Sequence, residues 1–265
     1  MEIRPGLELA NLTDIGCERE NNEDYFCYWE PESEDEFSRK GRLAIIADGM
    51  GGEEGGEVAS RLAVTAVRDT YVQYPANDPQ EALISAFKAA HDAIREFART
   101  RPDLKGMGTT CTAIVLNDGN AHFGHIGDSR LYWIRDSRIL CLTQDHTAVN
   151  RLIQQGVITP EEAATHPQRN VLTAALGTNK DISADFSPHP IPLQPGDVFV
   201  LCTDGLWGQV SDAEILSIVG RTTPTEACKE LVRIVKDRGG PDNITVQILC
   251  LPADAGNVGS QNGTD

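Results

Sequence analysis

Three apolar stretches of this 265-residue chain end on an aspartate: AIIADG at Asp48, GHIGDS at Asp128 and VLCTDG at Asp204. A fourth acid, Asp242 in PDN, stands just before the apolar run ITVQIL. Strands buried in one core present their ends along a common rim, so acids far apart in sequence can converge there. A buried, unpaired carboxylate is costly, and several together raise one another's pKa or demand a counter-charge. A divalent hard cation supplies that charge. Mg2+ or Mn2+ favours carboxylates, backbone carbonyls and water, and two ions held close together activate a water between them. Asp-Gly after a strand is also an ordinary turn pair, and for any one of these acids the spacing leaves that reading open. Four such coincidences make it the weaker one.

The loop after the first run sharpens the question. AIIADGMGGEEGG is rich in glycine, as phosphate-cradling loops are, yet its charged side chains, Asp48, Glu53 and Glu54, are all acidic. Phosphate chemistry at this loop must draw its positive charge from elsewhere.

The elements that position these residues are legible from hydrophobic periodicity. LELANLTDIG, EDYFCYWE and GRLAIIAD read as strands, the last apolar enough to be buried on both faces. The acidic segment Glu30 to Glu36 between the last two reads as a solvated hairpin loop. From Glu57 to Tyr74 the spacing turns helical, with Val58, Leu62 and Ala66 on one stripe and Ala59, Ala63 and Val67 beside it. A second helix opens near Pro79 and carries Leu83, Phe87, Ala90, Ile94 and Phe97. The two are expected to form an antiparallel pair over one sheet. GTTCTAIVL, NAHFGHIG and RLYWIRD then read as a β-meander. Residues 145 to 190 are less regular, with a short helix near Ala148 to Gln155, and are expected to form a mobile flap. The strand GDVFVLCTDG, helices near Asp212–Val219 and Thr225–Lys236 and the strand ITVQIL complete one domain over residues 1–252. Residues 253–265 have no apolar stripe and are expected to be disordered. Two helix pairs and about ten strands fit layered sheets covered by helices on both outer faces.

Lys and Arg total 23 against 40 Asp and Glu, a net charge of −17. Such a surface disfavours nucleic acid and anionic membranes as partners. Seven cysteines at wide, irregular gaps with no C-x-x-C pair read as reduced core residues. No run approaches the length of a membrane span and no secretory leader is evident, so a cytoplasmic, monomeric protein is expected.

The acids stand inside an ordered motif set that resembles the metal-dependent protein phosphatases of the PPM (type 2C) family, with a bacterial wording. The resemblance runs from about Thr13 to Leu251: RENNED at 19–24, ADGMGG at 47–52, GTT at 108–110, GDSR at 127–130, LTQDHT at 142–147, NVLTAALG at 170–177, CTDGLW at 202–207 and DNITV at 242–246. It implies an α+β fold, a four-layer αββα sandwich of two antiparallel sheets flanked by antiparallel helix pairs. It also implies two Mg2+ or Mn2+ ions. Asp48 would bridge both, Asp204 and Asp242 would hold one, and the Gly49 carbonyl the other. Asp24 and Glu23 would assist through waters, with Asn243 behind the ligands, and a third ion would fall to Asp128 with Asp204. Arg19 matches the family's phosphate-binding arginine, whose guanidinium takes two phosphate oxygens at once.

The implied activity is hydrolysis of phosphoserine and phosphothreonine in phosphorylated proteins by attack of a metal-bridged water, with no phosphoenzyme. A catalytically silent binding module and another two-metal phosphoesterase are the alternatives. The intact acids at 24, 48, 204 and 242 argue against the first, and Arg19 with the ordered motifs against the second. One departure concerns the general acid. Eukaryotic relatives carry a histidine where this chain has Met50, and many bacterial relatives carry one where it has Glu53. Met50 and Trp207 are placed beside the ligands at the border of the cleft, with packing an equal alternative for Trp207, and Thr109 and Thr110 in strand packing. His122 and His125 are three apart in a strand and so on opposite faces; His91 reads as a surface or core residue and His146 as structural.

Overall fold

The computed structural model describes residues 4–51, 55–178 and 181–253. Glu53, Glu54 and all but the first residue of the expected 253–265 tail lie outside them. In chain order the strands are β1 (Glu8–Asp14), β2 (Asp24–Trp29), β3 (Arg42–Met50), β4 (Gly108–Thr109), β5 (Cys111–Asn117), β6 (Asn120–Ile126), β7 (Arg130–Arg135), β8 (Arg138–Cys141), β9 (Asp185–Phe186), β10 (Ile191–Pro192), β11 (Val198–Cys202) and β12 (Ile244–Cys250). The helices are α1 (Glu34–Lys40), α2 (Gly55–Gln73), α3 (Pro79–Thr100), α4 (Ala148–Gln154), α5 (Pro160–Ala164), α6 (Asp204–Trp207), α7 (Asp212–Val219) and α8 (Pro224–Asp237).

The strands form two antiparallel sheets. One has five strands in the order β1-β12-β11-β7-β8; the other runs β10-β6-β5-β3-β2, with β4 on β3 and β9 on β6. Three apolar cores separate four layers. Val64, Val67, Leu83 and Phe87 of α2 and α3 pack on Leu43, Ile45 and Val115 of the seven-stranded sheet. Ala44, Ile46 and Ile114 face Leu131, Phe199 and Leu201 between the sheets. Val200, Ile244 and Val246 pack outward on Ile215, Leu231 and Val235 of α7 and α8. The expected four-layer αββα sandwich is present. Its basis is the two-residue alternation of the strands, which sends successive side chains to opposite faces.

Several elements differ from the sequence reading. The acidic segment 30–36 is a loop only as far as Ser33, which N-caps α1 by accepting the Glu36 N–H; Glu34, Asp35 and Glu36 fill the first turn of the helix, and Arg39 and Lys40 its last. Both ends thus complement the helix dipole. Glu30 is buried and accepts from Arg42 (3.1 Å), Tyr28 (2.7 Å) and the Arg4 N–H (2.7 Å). The expected β-meander is broken, because β6 lies in the seven-stranded sheet and β7 in the other. Gly127–Ser129 is therefore a crossing between sheets and not a hairpin turn. The hairpin partner of β7 is β8, which the sequence reading omitted together with α5, β9 and β10. Strand β3 continues past Asp48 to Met50, and Asp204 opens the one-turn helix α6. Cys17 is exposed and does not belong to a core, while Cys111, Cys202 and Cys228 are buried. No helix among the described residues is long and apolar enough to cross a membrane.

Candidate active site

The alternation that builds the core also aims the acids. On β3, Ala44 and Ile46 face the opposite sheet, and Asp48 continues that row; Asp24 pairs directly with Asp48 across β2 and β3. Asp24 reaches the other sheet, where its Oδ2 accepts the Thr203 hydroxyl at 2.9 Å. The crossing loop delivers Asp128, α6 delivers Asp204, and the residue pair before β12 delivers Asp242. Asp48, Asp128, Asp204 and Asp242 line one open cleft of about 590 Å³ with Arg19, Glu23, Gly49 and Asn243. Asp24 lies beneath it, 6% exposed. All nine residues singled out from the sequence are thus brought to one place.

What holds each acid is a layer of contacts that the sequence did not reveal. Thr110 Oγ1 accepts the Asp48 N–H (2.9 Å), the Thr110 N–H donates to the Asp48 carbonyl (2.9 Å), and the Thr109 hydroxyl donates to the same carbonyl (2.8 Å). Thr110 Oγ1 also meets Ser129 Oγ at 2.8 Å, tying the Asp48 strand to the Asp128 loop. Both threonines pack tightly, as expected, and in doing so they clamp the central acid. Asn243 lies behind Asp242. Its Nδ2 donates to the Ile15 and Asn21 carbonyls (2.9 and 3.0 Å) and its Oδ1 accepts the Glu23 N–H (2.8 Å). It therefore staples the segment bearing Arg19 to the last strand. His146 serves structure as expected, its Nδ1 accepting the Gly127 N–H at 3.1 Å and its Nε2 lying 3.1 Å from Asp185.

Met50 borders the cleft, but Trp207 does not; its indole N–H donates to the Asp128 carbonyl at 2.9 Å. Asn170 and Leu172 also line the cleft. The motif that opens at Asn170 was recognised, but nothing in its residue types marked it as facing the acids.

Gly49 is required by close approach. A Cβ there would lie 2.0 Å from the Gly56 carbonyl oxygen, because the start of α2 presses on the end of β3. Gly49→Ala should therefore cost about 3 kcal/mol, the upper end of ordinary overpacking, read as a fall in the urea midpoint with an unchanged slope.

The electrostatics of the cleft are unbalanced. Burial first, and then neighbouring carboxylates, push Asp48 and Asp128 well above the usual carboxylate range. Burial likewise raises Asp204, against the pull of its contact with the Asp48 carboxyl. Asp24 is pushed up to about 7 by burial and by the charges of Asp204 and Asp242, with the Thr245 and Thr203 hydroxyls pulling the other way. Asp24 Oδ1 and Asp204 Oδ1 are buried with no hydrogen-bond partner. Among the described lining residues the only cation is Arg19, half exposed and paired with Asp242 at 2.7 Å. No three acids, histidines or cysteines among the described residues already converge as a finished metal cage. Asp242 is turned onto Arg19 and Asp24 onto Thr203. The donor set is nevertheless what hard divalent cations take: clustered carboxyl oxygens, two of them without a proton donor, and a carbonyl rim. The residues fit such ions.

The family model for protein phosphatase 2C matches residues 20–239. The chain belongs to the protein phosphatase 2C family. Within that family it is 36% identical over 250 residues to the protein phosphatase PhpP of Streptococcus pneumoniae serotype 2, covering 92% of this chain and 98% of the relative. The structure of the Mycobacterium tuberculosis serine/threonine phosphatase PstP/Ppp superimposes with a TM-score of 0.82 at 37% identity, covering 93% of this chain and 99% of the other. The catalytic domain of PstP in complex with two manganese ions gives a TM-score of 0.80 at 35% identity over 93% of this chain and 98% of the other. This protein phosphatase 2C chain thus shares with those proteins the two-sheet architecture.

Proposed function

We propose that this chain is a metal-dependent serine/threonine protein phosphatase that hydrolyses phosphoserine and phosphothreonine monoesters in proteins. The observation that carries the reading is the meeting of acids from five distant segments, with one arginine, in a single open cleft. Asp48 stands at the centre, in contact with Asp204 and opposite Asp24. We assign Asp48, Asp204, Asp242 and the Gly49 carbonyl to two cations, with Asp24 and Glu23 behind them. Asp128 with Asp204 is assigned to a third. When bound, Mg2+ or Mn2+ neutralises phosphate charge and lowers the pKa of water enough for attack on phosphorus at neutral pH.

The chain's own groups do the rest. Arg19 takes two phosphate oxygens through its planar guanidinium, one nitrogen of which rests on Asp242, and Asn243 holds the loop that aims it. Thr109 and Thr110 fix Asp48 against displacement. The cleft's described lining contains no Ser or Cys, and the one hydroxyl there, on Thr110, is committed to the Asp48 N–H and Ser129. That supports direct transfer to water without a phosphoenzyme. Segment 145–190, which brings Asn170 and Leu172 to the rim, is assigned as a flap over the substrate. The net charge of −17 disfavours nucleic acid and anionic membranes as partners; basic phosphorylated proteins are assigned as the partners, and the protein is assigned as a cytoplasmic monomer.

The direct test is release of inorganic phosphate from phosphoserine and phosphothreonine peptides with Mn2+, with Mg2+ and with a chelator. Release is expected with either ion and background rates with the chelator. No metal-dependent release from either peptide would overturn the proposal.

A further inference from the structure

Asp128 and Asp204 come from different elements, the crossing loop and α6, and something must set the distance between them. Helix α6 is a single turn, closed by the Leu206 N–H on the Thr203 carbonyl (3.1 Å) and the Gly208 N–H on the Asp204 carbonyl (2.8 Å). Asp204 and Trp207 are its first and last residues, so they move together. The Trp207 indole N–H donates to the Asp128 carbonyl at 2.9 Å. The Arg130 guanidinium lies 3.7 Å from the centre of the indole ring. That guanidinium is fixed in turn by Asp145 (3.0 and 2.8 Å) and the Tyr132 hydroxyl (3.1 Å). Asp145 matches the arginine's charge, and neither Arg130 nor Trp207 lines the cleft.

We propose that Trp207, held flat by Arg130, is a positioning residue that sets Asp128 against Asp204 and so determines how tightly this acid pair binds a divalent cation. Trp207 packs on the apolar core under α7 and α8. Beyond that packing it gives one face to a charged side chain and its one N–H to the main chain of an acid in the cleft. The same stack reaches the segment over the cleft, because the Asn150 side chain donates to the Asp145 carbonyl at 2.6 Å. The inference rests on the assignment of Asp128 and Asp204 to a cation.

The test is Mn2+ binding to the full chain by titration calorimetry, comparing the unmodified protein with Trp207→Phe and Asp128→Asn. Asp128→Asn should remove one class of Mn2+ site. Trp207→Phe keeps a ring for Arg130 but loses the N–H, and should weaken that class alone by about 10-fold, the low end for groups that orient metal ligands. A second reading uses the unmodified protein: in proton–nitrogen correlation spectra the Trp207 indole signal should shift on saturation with Mg2+, while Trp133, whose indole donates to Asp197, stays in place. Unweakened Mn2+ binding in Trp207→Phe, equal weakening of every site, or an indole signal indifferent to Mg2+ each overturns the positioning role. Unchanged Mn2+ stoichiometry in Asp128→Asn overturns the assignment beneath it, and the inference with it.

Discussion

Asp204→Asn should lower phosphate release from a phosphopeptide by about 10³-fold or more at fixed Mn2+, while making the metal-free protein more stable. Asp204 opens α6, contacts the Asp48 carboxyl and carries a buried oxygen with no hydrogen-bond partner. An amide keeps its shape but removes the charge a cation needs and turns an N–H2 toward it. Groups that merely orient metal ligands already cost 10- to 100-fold when lost, so a direct ligand is placed beyond that range. Stability should move the other way. Burial and the charge of Asp242 raise the Asp204 pKa, which means its ionised form is penalised in the folded state. Removing one of several crowded carboxylates relieves that penalty. The paired readout is kcat/KM with Mn2+ and the melting temperature in chelator. Near-normal turnover at the same Mn2+ concentration would show that Asp204 is not a ligand, and a lower metal-free melting temperature would show that its charge is not what strains the apoprotein.

The acids themselves were legible because a buried strand announces its end: an apolar run such as AIIA cannot absorb Asp48 except at a rim. Helices α2 and α3 were legible for the related reason that Ala59, Ala63 and Val67, or Leu83, Phe87 and Ile94, recur with helical spacing. The crossing at Gly127–Ser129 was not. An alternating strand carries the same pattern in whichever sheet it lies, and only the contacts of Leu131 with Phe199 and Leu201 decide that β7 leaves its neighbour β6. Helix α1 was hidden by its own acids, although Ser33 ahead of three of them and Arg39 and Lys40 behind them form a capped sequence. The groups that fix the site were least visible. Thr110 bonds to a residue 62 positions away, Asn243 to one 228 away, and Trp207 to one 79 away; no local pattern encodes such a contact. Arg19 stands apart again. Its residue type alone reads as a solvated charge, and only its place in RENNED marked it for the phosphate.

The metal-free protein should lose stability as pH rises from about 4 to about 7, and Mn2+ should reduce that loss. The sign follows from which state holds the proton. Asp24, raised from its ordinary 3.8 to about 7 by burial and neighbouring charge, keeps its proton in the folded chain over a range in which the unfolded chain has released it. Each pH unit in that window then favours unfolding by about 1.4 kcal/mol for such a group. Asp48, Asp128 and Asp204 are shifted in the same direction. The dependence on Asp24 flattens once both states are ionised. Acids outside the cleft oppose this only at lower pH. Despite their burial, Asp197 is held below its ordinary value by hydrogen bonds from Arg135, Gln194 and Trp133, and Glu30 by bonds from Arg4, Tyr28 and Arg42. Their contribution is complete above the ordinary carboxylate range and fades as pH falls through their lowered values. The apoprotein's optimum should therefore lie on the acid side of neutrality. Cations compete with protons for the ionised carboxylates, so Mn2+ affinity should rise across the same window. A single site at 100 times its Kd adds about 2.7 kcal/mol. Melting curves from pH 4.5 to 8 should then nearly coincide with and without Mn2+ at the acid end and separate steadily toward pH 8. A metal-free stability that is flat or rising between pH 5 and 7 would show that the cleft acids are not held protonated by their burial.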